Sequence, residues 1–471
     1  MAILKPVTTS ARYLAVALGL CSGVTTLGHA QTVADVLTTG ATIPESQPLS
    51  SALPTERSQT IDFGASLGIG ETDNVFDTPS DHRAQTMAIA GIDFGWIRTG
   101  SALDANVVGN FNYLDYLQHA YSSQLLGRFD GLTSLSLFSD HLKWLLQDDF
   151  GEGQLDPYAP ATPTNLEHIN SLTTGPELTL RPLSDTVVQL GARYSLSTYE
   201  TSPLDGYRLT ENVLLERLLS SNSNIALGAD LEQLRFDNTI VNTDYDVSRF
   251  YFRYDITGAR THITATVGET QANDGGEWIA TPLVLFSLSH ELSAQTSLNL
   301  SGGRELTDAG DTFSGLRSGA AGGIPVAAAA QTSGDFLRNF VTAGLQLKGD
   351  RTTIGMTANW ERDTYTVDNT FDVTNGSVEL RLNRQLSNFL SAGVFGALQQ
   401  SRYFNQDGEI NSRIIGANVT WRASRTLSVD GRYMHNFQGT SGGGFGYSAN
   451  SFFVTVSYRP LQSGEQPDRQ P

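Results

Sequence analysis

Nine charged and amide residues alternate with apolar residues along four stretches of the chain, and they are the first candidates for chemistry. They are Arg249, Arg253, Asp255, Asn359, Glu361, Glu379, Arg381, Asp430 and Arg432. Such alternation places polar side chains on one face of a β-strand and apolar side chains on the other. Two interpretations stay open: ion pairs that brace a wall from inside, and a lining that contacts a solute. The mixture of signs argues against a strongly anion- or cation-selective filter.

Motifs of enzymes and cofactor sites give little support for catalysis. Gly64–Gly68 matches G-x-S-x-G, but a nucleophilic Ser66 would need a strand–turn–helix, and the flanking alternation predicts a strand without a following helix. The histidines are scattered without metal-site spacing, and no phosphate-binding or dinucleotide motif occurs. We assign the acidic segment Asp148–Glu152 to a solvated outer loop in preference to a divalent-cation site. The sequence therefore predicts no catalytic residue, no metal and no cofactor, and a protein that is not an enzyme.

Composition excludes several classes of protein. The chain has 471 residues and a formal net charge of −19, which disfavours a nucleic-acid partner because phosphate binding needs clustered Lys and Arg. A hydrophobic share of 39% is too high for a disordered chain. No stretch reaches the roughly 18 apolar residues of a membrane-spanning helix.

The N-terminus is typical of an exported protein. Residues 1–30 combine Lys5 and Arg12, a short apolar core, and the small residues Gly28 and Ala30 before an expected cleavage site. We interpret them as a signal peptide; Leu20 before Cys21 disfavours a lipoprotein signal. Residues 31–59, rich in Thr, Ser and Pro, are predicted to be a periplasmic linker.

The nine polar residues lie on predicted strands, which begin at residue 60. Along each of these long strands apolar and polar residues alternate. Their length suits a tilted crossing of a bilayer better than a soluble sheet. Short connections alternate with longer ones, as in outer-membrane barrels with short periplasmic turns and longer extracellular loops. We therefore predict an all-β fold, a transmembrane antiparallel β-barrel over 60–459 of about 20 strands, with 18 as the alternative, and a C-terminal tail over 460–471. The long segment 307–333 is predicted to be able to fold inward as a constriction.

Two segments carry a family resemblance. The last strand, Ala449–Tyr458, resembles the C-terminal assembly signal of outer-membrane barrels, although a tail follows its aromatic end. Gly68–Phe76, followed by Thr78-Pro-Ser80 and Arg83, is similar to the first hairpin of a family of outer-membrane β-barrel porins associated with exopolysaccharide systems. The resemblance implies a location in the outer membrane of a Gram-negative cell and, more loosely, a role in polysaccharide export or envelope assembly.

Two functions follow as expectations. The first is a porin-like channel that passes solutes and is linked to polysaccharide export. The second is a non-conducting envelope scaffold, or a barrel whose loops bind sugars or partner proteins. The expected partners are outer-membrane lipid, the barrel assembly machinery and polysaccharide, with no nucleic acid.

Overall fold

The computed structural model describes residues 58–138, 141–156, 158–274, 276–314, 334–366, 369–404, 408–441 and 446–460. The predicted signal peptide, nearly all of the predicted linker and the tail beyond Pro460 lie outside these residues. Among the described residues, no helix is long and apolar enough to cross a membrane.

The described chain forms one antiparallel sheet of 20 strands that closes on itself. The strands are β1 (Ser58–Thr72), β2 (Gln85–Thr99), β3 (Leu103–Tyr116), β4 (Gln124–Phe138), β5 (Leu142–Gln154), β6 (Leu166–Leu183), β7 (Thr186–Tyr199), β8 (Gly206–Ser220), β9 (Ser223–Phe236), β10 (Tyr245–Thr257), β11 (Thr261–Asp274), β12 (Glu277–Ser293), β13 (Thr296–Thr307), β14 (Phe336–Lys348), β15 (Thr352–Tyr365), β16 (Val373–Gln385), β17 (Leu390–Tyr403), β18 (Gly408–Arg422), β19 (Leu427–Ser441) and β20 (Tyr447–Tyr458). The all-β barrel and the count of 20 strands are confirmed, and the alternative of 18 is wrong.

Closure joins the first strand to the last. β1 pairs with β2 along its whole length, and with β20 from Ala65–Tyr458 to Thr72–Ser451. Just beyond β20, the Arg459 guanidinium lies 2.6 Å from Asp93 and 3.9 Å from Asp62, which ties the chain end to the interior face of β1 and β2. Closure leaves no open sheet edge along the paired residues, so their backbone N–H and C=O groups are hydrogen-bonded between strands.

Register separates an outer face from an inner face. On β1, Ile61, Phe63, Leu67 and Ile69 face outward and are exposed, whereas Gly64 between them faces inward and is buried. Cross-strand partners share a face, so this assignment extends from strand to strand around the barrel. The outer surface is therefore largely apolar and the inner surface mixed and polar.

Connections differ between the two ends of the barrel. At one end the strands meet through tight turns such as Gly349 with Lys348 and Asp350, and at the other end through longer loops. We call these the short-turn end and the long-loop end. A helix that the sequence did not predict, α1 (Ala309–Ser314), follows β13 at the long-loop end. Two 3-10 turns, Pro163–Asn165 and Asn369–Phe371, lie in other loops at this end.

Candidate functional site

The segment 308–314 lies inside the barrel. It follows the part of β13 that has lost its pairing with β12, which ends at Val284–Arg304, but keeps its pairing with β14 up to Thr307–Phe336. The ring of Phe313 reaches the Gly151 backbone on β5, within about 3.7 Å of where a Cβ would stand. Since β5 and β13 are far apart around the barrel, α1 crosses the interior. The inward fold expected of this loop is thus present in its first residues, while 315–333 lie outside the described residues.

Arg208 on β8 holds α1 in place. Its guanidinium donates to both carboxylate oxygens of Asp308, at 2.6 and 2.7 Å, and to Asp311. The same group contacts Glu232 on β9 at 2.5 Å. All four side chains are buried. A fork of donors shared among carboxylates is the geometry that arginine supplies best.

Arg249 on β10 completes this group, which we call the Arg208 cluster: Arg208, Glu232, Arg249, Asp308 and Asp311. Arg249 lies 2.7 Å from Glu232 and 3.8 Å from Asp311, and it donates to the carbonyl of Leu306 at 3.2 Å. The carboxylate oxygens of Glu232, Asp308 and Asp311 lie within 4.8 Å of one another, a spacing that a metal ion accepts. The two guanidinium groups already neutralise much of that charge, so the cluster is best described as an ion-pair network.

The Arg208 cluster has three carboxylates and two guanidiniums, an excess of one negative charge. Burial raises the pKa of Asp311 to about 8. The negative charges of Glu232 and Asp308 raise this pKa further, and the two arginines offset only part of the increase. The cluster therefore favours the binding of one proton.

A second buried ion-pair group lies next to it on β13 to β15. Arg338 contacts Glu361 at 2.6 Å and Glu305 at 3.8 Å, and its guanidinium stacks over the Phe340 ring at 4.6 Å. This part of the wall is filled and braced.

The β5–β6 loop, residues 155–165, also crosses the long-loop end. The Tyr158 ring lies 4.5 Å from the Tyr403 ring on β17, measured between centroids. Its hydroxyl donates to the carbonyl of Thr370, in the loop between β15 and β16, at 3.2 Å. Together with α1, this loop narrows the mouth from two directions.

The β1–β2 loop, residues 73–84, packs onto an apolar part of the inner wall. Val75 joins a buried cluster with Met87, Leu114, Met434 and Phe453. Apolar residues on an inner face of a barrel are explained here by the loop that they bury.

Beneath α1, the wall of β6 to β9 forms a polar cavity of about 210 Å³. Hydroxyl and amide side chains dominate its lining: Ser171, Thr173, Ser195, Ser197, Thr210 and Asn212. Charged groups also line the cavity: Arg193 donates to Glu177 at 2.9 Å, Arg208 belongs to the cluster above, and Asp230 on β9 contributes a carboxylate. Gly310 and Asp311 of α1 form its roof. The cavity can offer donors and acceptors to a polar ligand.

All nine sequence-predicted lining residues are on inward-facing positions by register, but they do not form one site. Arg249 and Glu361 belong to the two buried groups. The other seven are spread over the wall and make local contacts. Two of these contacts are ion pairs, Arg253 with Asp255 at 2.9 Å and Arg381 with Glu379. Asn359 donates to Ser377 at 3.3 Å, Asp430 accepts a hydrogen bond from Thr420 at 2.5 Å, and Arg432 lies opposite Asn418. Several of these contacts fit the bracing interpretation; contact with a solute stays a prediction.

Sequence reasoning missed Arg208, Glu232, Asp308, Asp311 and Arg338. The alternation around Arg208 was the available signal, since it is flanked by apolar Tyr207 and Leu209. The outer-loop interpretation of Asp148–Glu152 is wrong, because these residues belong to β5, where Asp149 faces inward and Asp148 outward. Ser66 lies in β1, opposite Gly91 and Ser457.

Comparison with known proteins gives one family match and several distant structures. Residues 347–460, less than half of the chain, match the family model "Putative beta-barrel porin 2". No curated protein matches. Among solved structures, the siderophore receptor PirA from Pseudomonas aeruginosa has a TM-score of 0.44 at 12% identity, over 86% of this chain and 81% of that one. The FrpB iron transporter (F5-1 variant) from Neisseria meningitidis has 0.44 at 9% identity, over 85% and 82%. The copper transporter OprC has 0.41 at 10% identity, over 86% and 80%.

Proposed function

We propose that the protein is a channel of the outer membrane of a Gram-negative cell, with a mouth restricted by its own loops. An apolar outer band supports a membrane location. On β18 the outward positions Trp421, Val419 and Ile415 are exposed and apolar, and Arg413 follows. A strand rising ~3.3 Å per residue and tilted ~40° covers about 20 Å between Trp421 and Arg413, close to the ~25 Å band of outer-membrane barrels. The porin family match supports the same class.

We place the short-turn end in the periplasm and the long-loop end on the extracellular side, as in other outer-membrane barrels. The final strand, Ala449–Tyr458, would be the segment that the barrel assembly machinery recognises. We assign no catalytic role to the inner wall.

One observation carries the channel proposal: a polar inner wall narrowed at one end by α1 and the 155–165 loop. The wall carries positive and negative groups that pair with each other, as Arg253 does with Asp255. We therefore expect only weak selectivity between anions and cations. A narrowed mouth favours small polar solutes over large ones.

The cavity beneath α1 suggests the class of solute. Hydroxyl and amide groups both donate and accept, as the hydroxyls of a sugar require. A volume of about 210 Å³ suits a ligand smaller than the drug-sized molecules of most binding pockets, such as one sugar unit. We therefore propose a hydroxylated solute, which is also the chemistry that a link to polysaccharide export would need.

A second candidate is a binding barrel that does not conduct. The buried Arg208 cluster favours it, because five charged groups join α1 firmly to the wall. The two candidates differ in whether solutes cross.

Planar-bilayer recording of the full-length folded barrel separates the candidates. The channel predicts discrete conductance steps that become larger when residues 309–314 are replaced by a Gly/Ser segment of equal length. Added sugar should reduce the conductance in a dose-dependent way, and Ser195→Val with Thr210→Val should weaken that block. Absence of conductance in both the wild type and the replacement variant would refute the channel and leave the binding barrel.

A further inference from the structure

The wall of the barrel separates locally between β4 and β5. These strands pair no further toward the long-loop end than Phe129–Phe150, although β4 extends beyond this pair by residues 124–128 and β5 by residues 151–154. Both extensions stay in the sheet on their other sides, where β4 pairs with β3 and β5 with β6. We call this gap between 124–128 and 151–154 the β4–β5 split.

The split is unusual within the described sheet. Besides it, both strands continue past their last pair at this end only between β12 and β13, above Val284–Arg304, where α1 leaves the wall. At every other junction of the described strands, at least one strand is paired up to its end. The departure of α1 accounts for one of the two gaps, and the β4–β5 split needs another explanation.

Side chains close the β4–β5 split on the outer face. The backbone N–H of Gly127 donates to the Glu152 carboxylate at 2.5 Å. The His168 ring, on β6, reaches past β5, with Nε2 2.9 Å from the Leu125 carbonyl oxygen and Nδ1 2.7 Å from a Glu200 carboxylate oxygen. Side chains change rotamer readily, whereas a paired ladder stays closed unless its strands separate. The outer closure can therefore open without disturbing the rest of the sheet.

The Phe313 ring of α1 covers the split on the inner face. Gly151 is the first residue of β5 beyond the last pair and faces inward, and Phe313 lies within about 3.7 Å of where its Cβ would stand. Since the Arg208 cluster holds α1 through Asp308 and Asp311, it also holds this inner cover in place.

Outside the split, the surface changes from apolar to polar. Outward-facing Phe129 and Phe150 lie at its lower end, whereas Glu152 and His168 beside it are polar. If the barrel is in a membrane, such a change marks the level where hydrocarbon meets the headgroups. The split therefore opens toward the outer leaflet at this boundary.

Inside the split, the polar cavity beneath α1 begins one strand away. Ser171, which lines the cavity, is the β6 partner of Asp149, the inward residue next below Gly151 on β5. Gly310 and Asp311 roof the same cavity, so one short helix separates it from the split. A hydroxyl-lined chamber and the edge of the hydrocarbon thus lie on the two sides of a closure made only of side chains.

We propose that the β4–β5 split is a side port for an amphipathic solute, whose hydroxylated head occupies the cavity while its alkyl tail extends through the split into the outer leaflet. A purely polar solute gains nothing from hydrocarbon, and a purely apolar one gains nothing from the cavity. Only a molecule with both parts is stabilised by a passage that joins the two. This port deepens the proposed function by naming the class of solute, and it rests on the proposed membrane location but not on conduction.

A thiol placed behind the split tests the port. In a Cys21→Ser background, the full-length barrel in phosphatidylcholine nanodiscs carries either Gly151→Cys or the matched control Asn375→Cys. Asn375 also faces inward near the long-loop end, but β16 is paired up to its end with both neighbours. The ratio of labelling rates, N-dodecylmaleimide over a water-soluble sulfonated maleimide, should be at least about tenfold higher at Gly151→Cys, because the dodecyl chain partitions into the bilayer. Equal ratios at the two positions would overturn the port.

Removal of the outer closure provides a second readout. His168→Ala should raise the N-dodecylmaleimide rate at Gly151→Cys at least about threefold and leave the sulfonated reagent's rate unchanged, since the exchange of side chains is on the lipid side. The matched control is His290→Ala, which removes an outward histidine of β12 that contacts the Thr261 hydroxyl far from the split. The same increase in both variants would contradict a closure by His168.

Protection from labelling tests the class of solute. Dodecyl glucoside should slow the reaction of Gly151→Cys with the sulfonated maleimide, and glucose or dodecylphosphocholine at the same concentration should slow it much less. Equal protection by dodecylphosphocholine would overturn the hydroxylated head. Conductance in a barrel with equal labelling ratios would overturn the port and leave the channel intact, whereas unequal ratios without conductance would support the port and refute the channel.

Discussion

Removing the Arg208 guanidinium is the sharpest test of how α1 is held. In Arg208→Met the side chain keeps much of its length, but Asp308 and Asp311 lose the Arg208 guanidinium, and Glu232 loses it as well while keeping its ion pair with Arg249. Removing one partner of a buried ion pair costs about 3–5 kcal/mol, because the remaining charges stay out of water. At about 1.4 kcal/mol per tenfold, the ratio of docked to undocked α1 falls roughly 150- to 4,000-fold.

Single-channel recording measures the consequence. Undocking of α1 should increase the fraction of time that the channel spends in its largest conductance state. If the ratio of docked to undocked α1 in the wild type is smaller than this loss, α1 should be mostly undocked in the variant. Arg253→Met is the matched control, since Arg253 is paired on the inner wall with Asp255 and Glu216 but does not touch α1. Adding Asp308→Asn and Asp311→Asn to Arg208→Met removes the uncompensated charge and should restore part of the docking. Unchanged conductance in Arg208→Met would show that the cluster does not hold α1.

Three other predictions address the loops at the long-loop end. Because burial raises the pKa of Asp311 to about 8, docked α1 binds a proton that the free loop releases above pH ~4, so docking should weaken and conductance rise between pH 5 and 9. Asp311→Asn should abolish this dependence. Tyr158→Ala removes an aromatic contact with Tyr403 and a hydrogen bond, together worth about 1–3 kcal/mol, so protease cleavage of the 155–165 loop should accelerate roughly 5- to 150-fold. Asp77 has φ 50° and a pKa raised to about 7 by burial, so the barrel loses stability as pH rises from ~4 to 7, and Asp77→Asn should raise the unfolding midpoint at pH 8 but not at pH 4.

Controls make these outcomes decisive. Tyr158→Phe keeps the ring and loses only the hydroxyl, so its cleavage rate should lie between the wild type and Tyr158→Ala. A conductance that falls with rising pH, or that keeps its pH dependence in Asp311→Asn, would contradict the proton bound in the Arg208 cluster. An equal gain for Asp77→Asn at both pH values would assign the effect to the backbone rather than to the buried charge.

Sequence alone determined the wall of this barrel. A residue's face follows from a period of two, so Phe452 and Val454 outward, with Thr455 inward, could be predicted without knowing which strand lies beside them. Turns such as Lys348-Gly-Asp350 could be predicted as well, because their conformations depend on local residue types. The inward positions of Arg253 and Asp255 follow from the same periodicity.

Only the tertiary structure decided what lies inside and outside that wall. The Arg208 cluster joins β8, β9 and β10 to a helix that follows β13, and no local pattern specifies which distant loop a buried arginine meets. The contact between Tyr158 and Tyr403 likewise spans the barrel. Asp148 shows the same limit from the other side: its acidic neighbours suggested a loop, and pairing with Gly131 and Leu172 placed it in a strand facing outward. Alternation is a local property of the chain, whereas closure and loop docking depend on residues far apart in sequence.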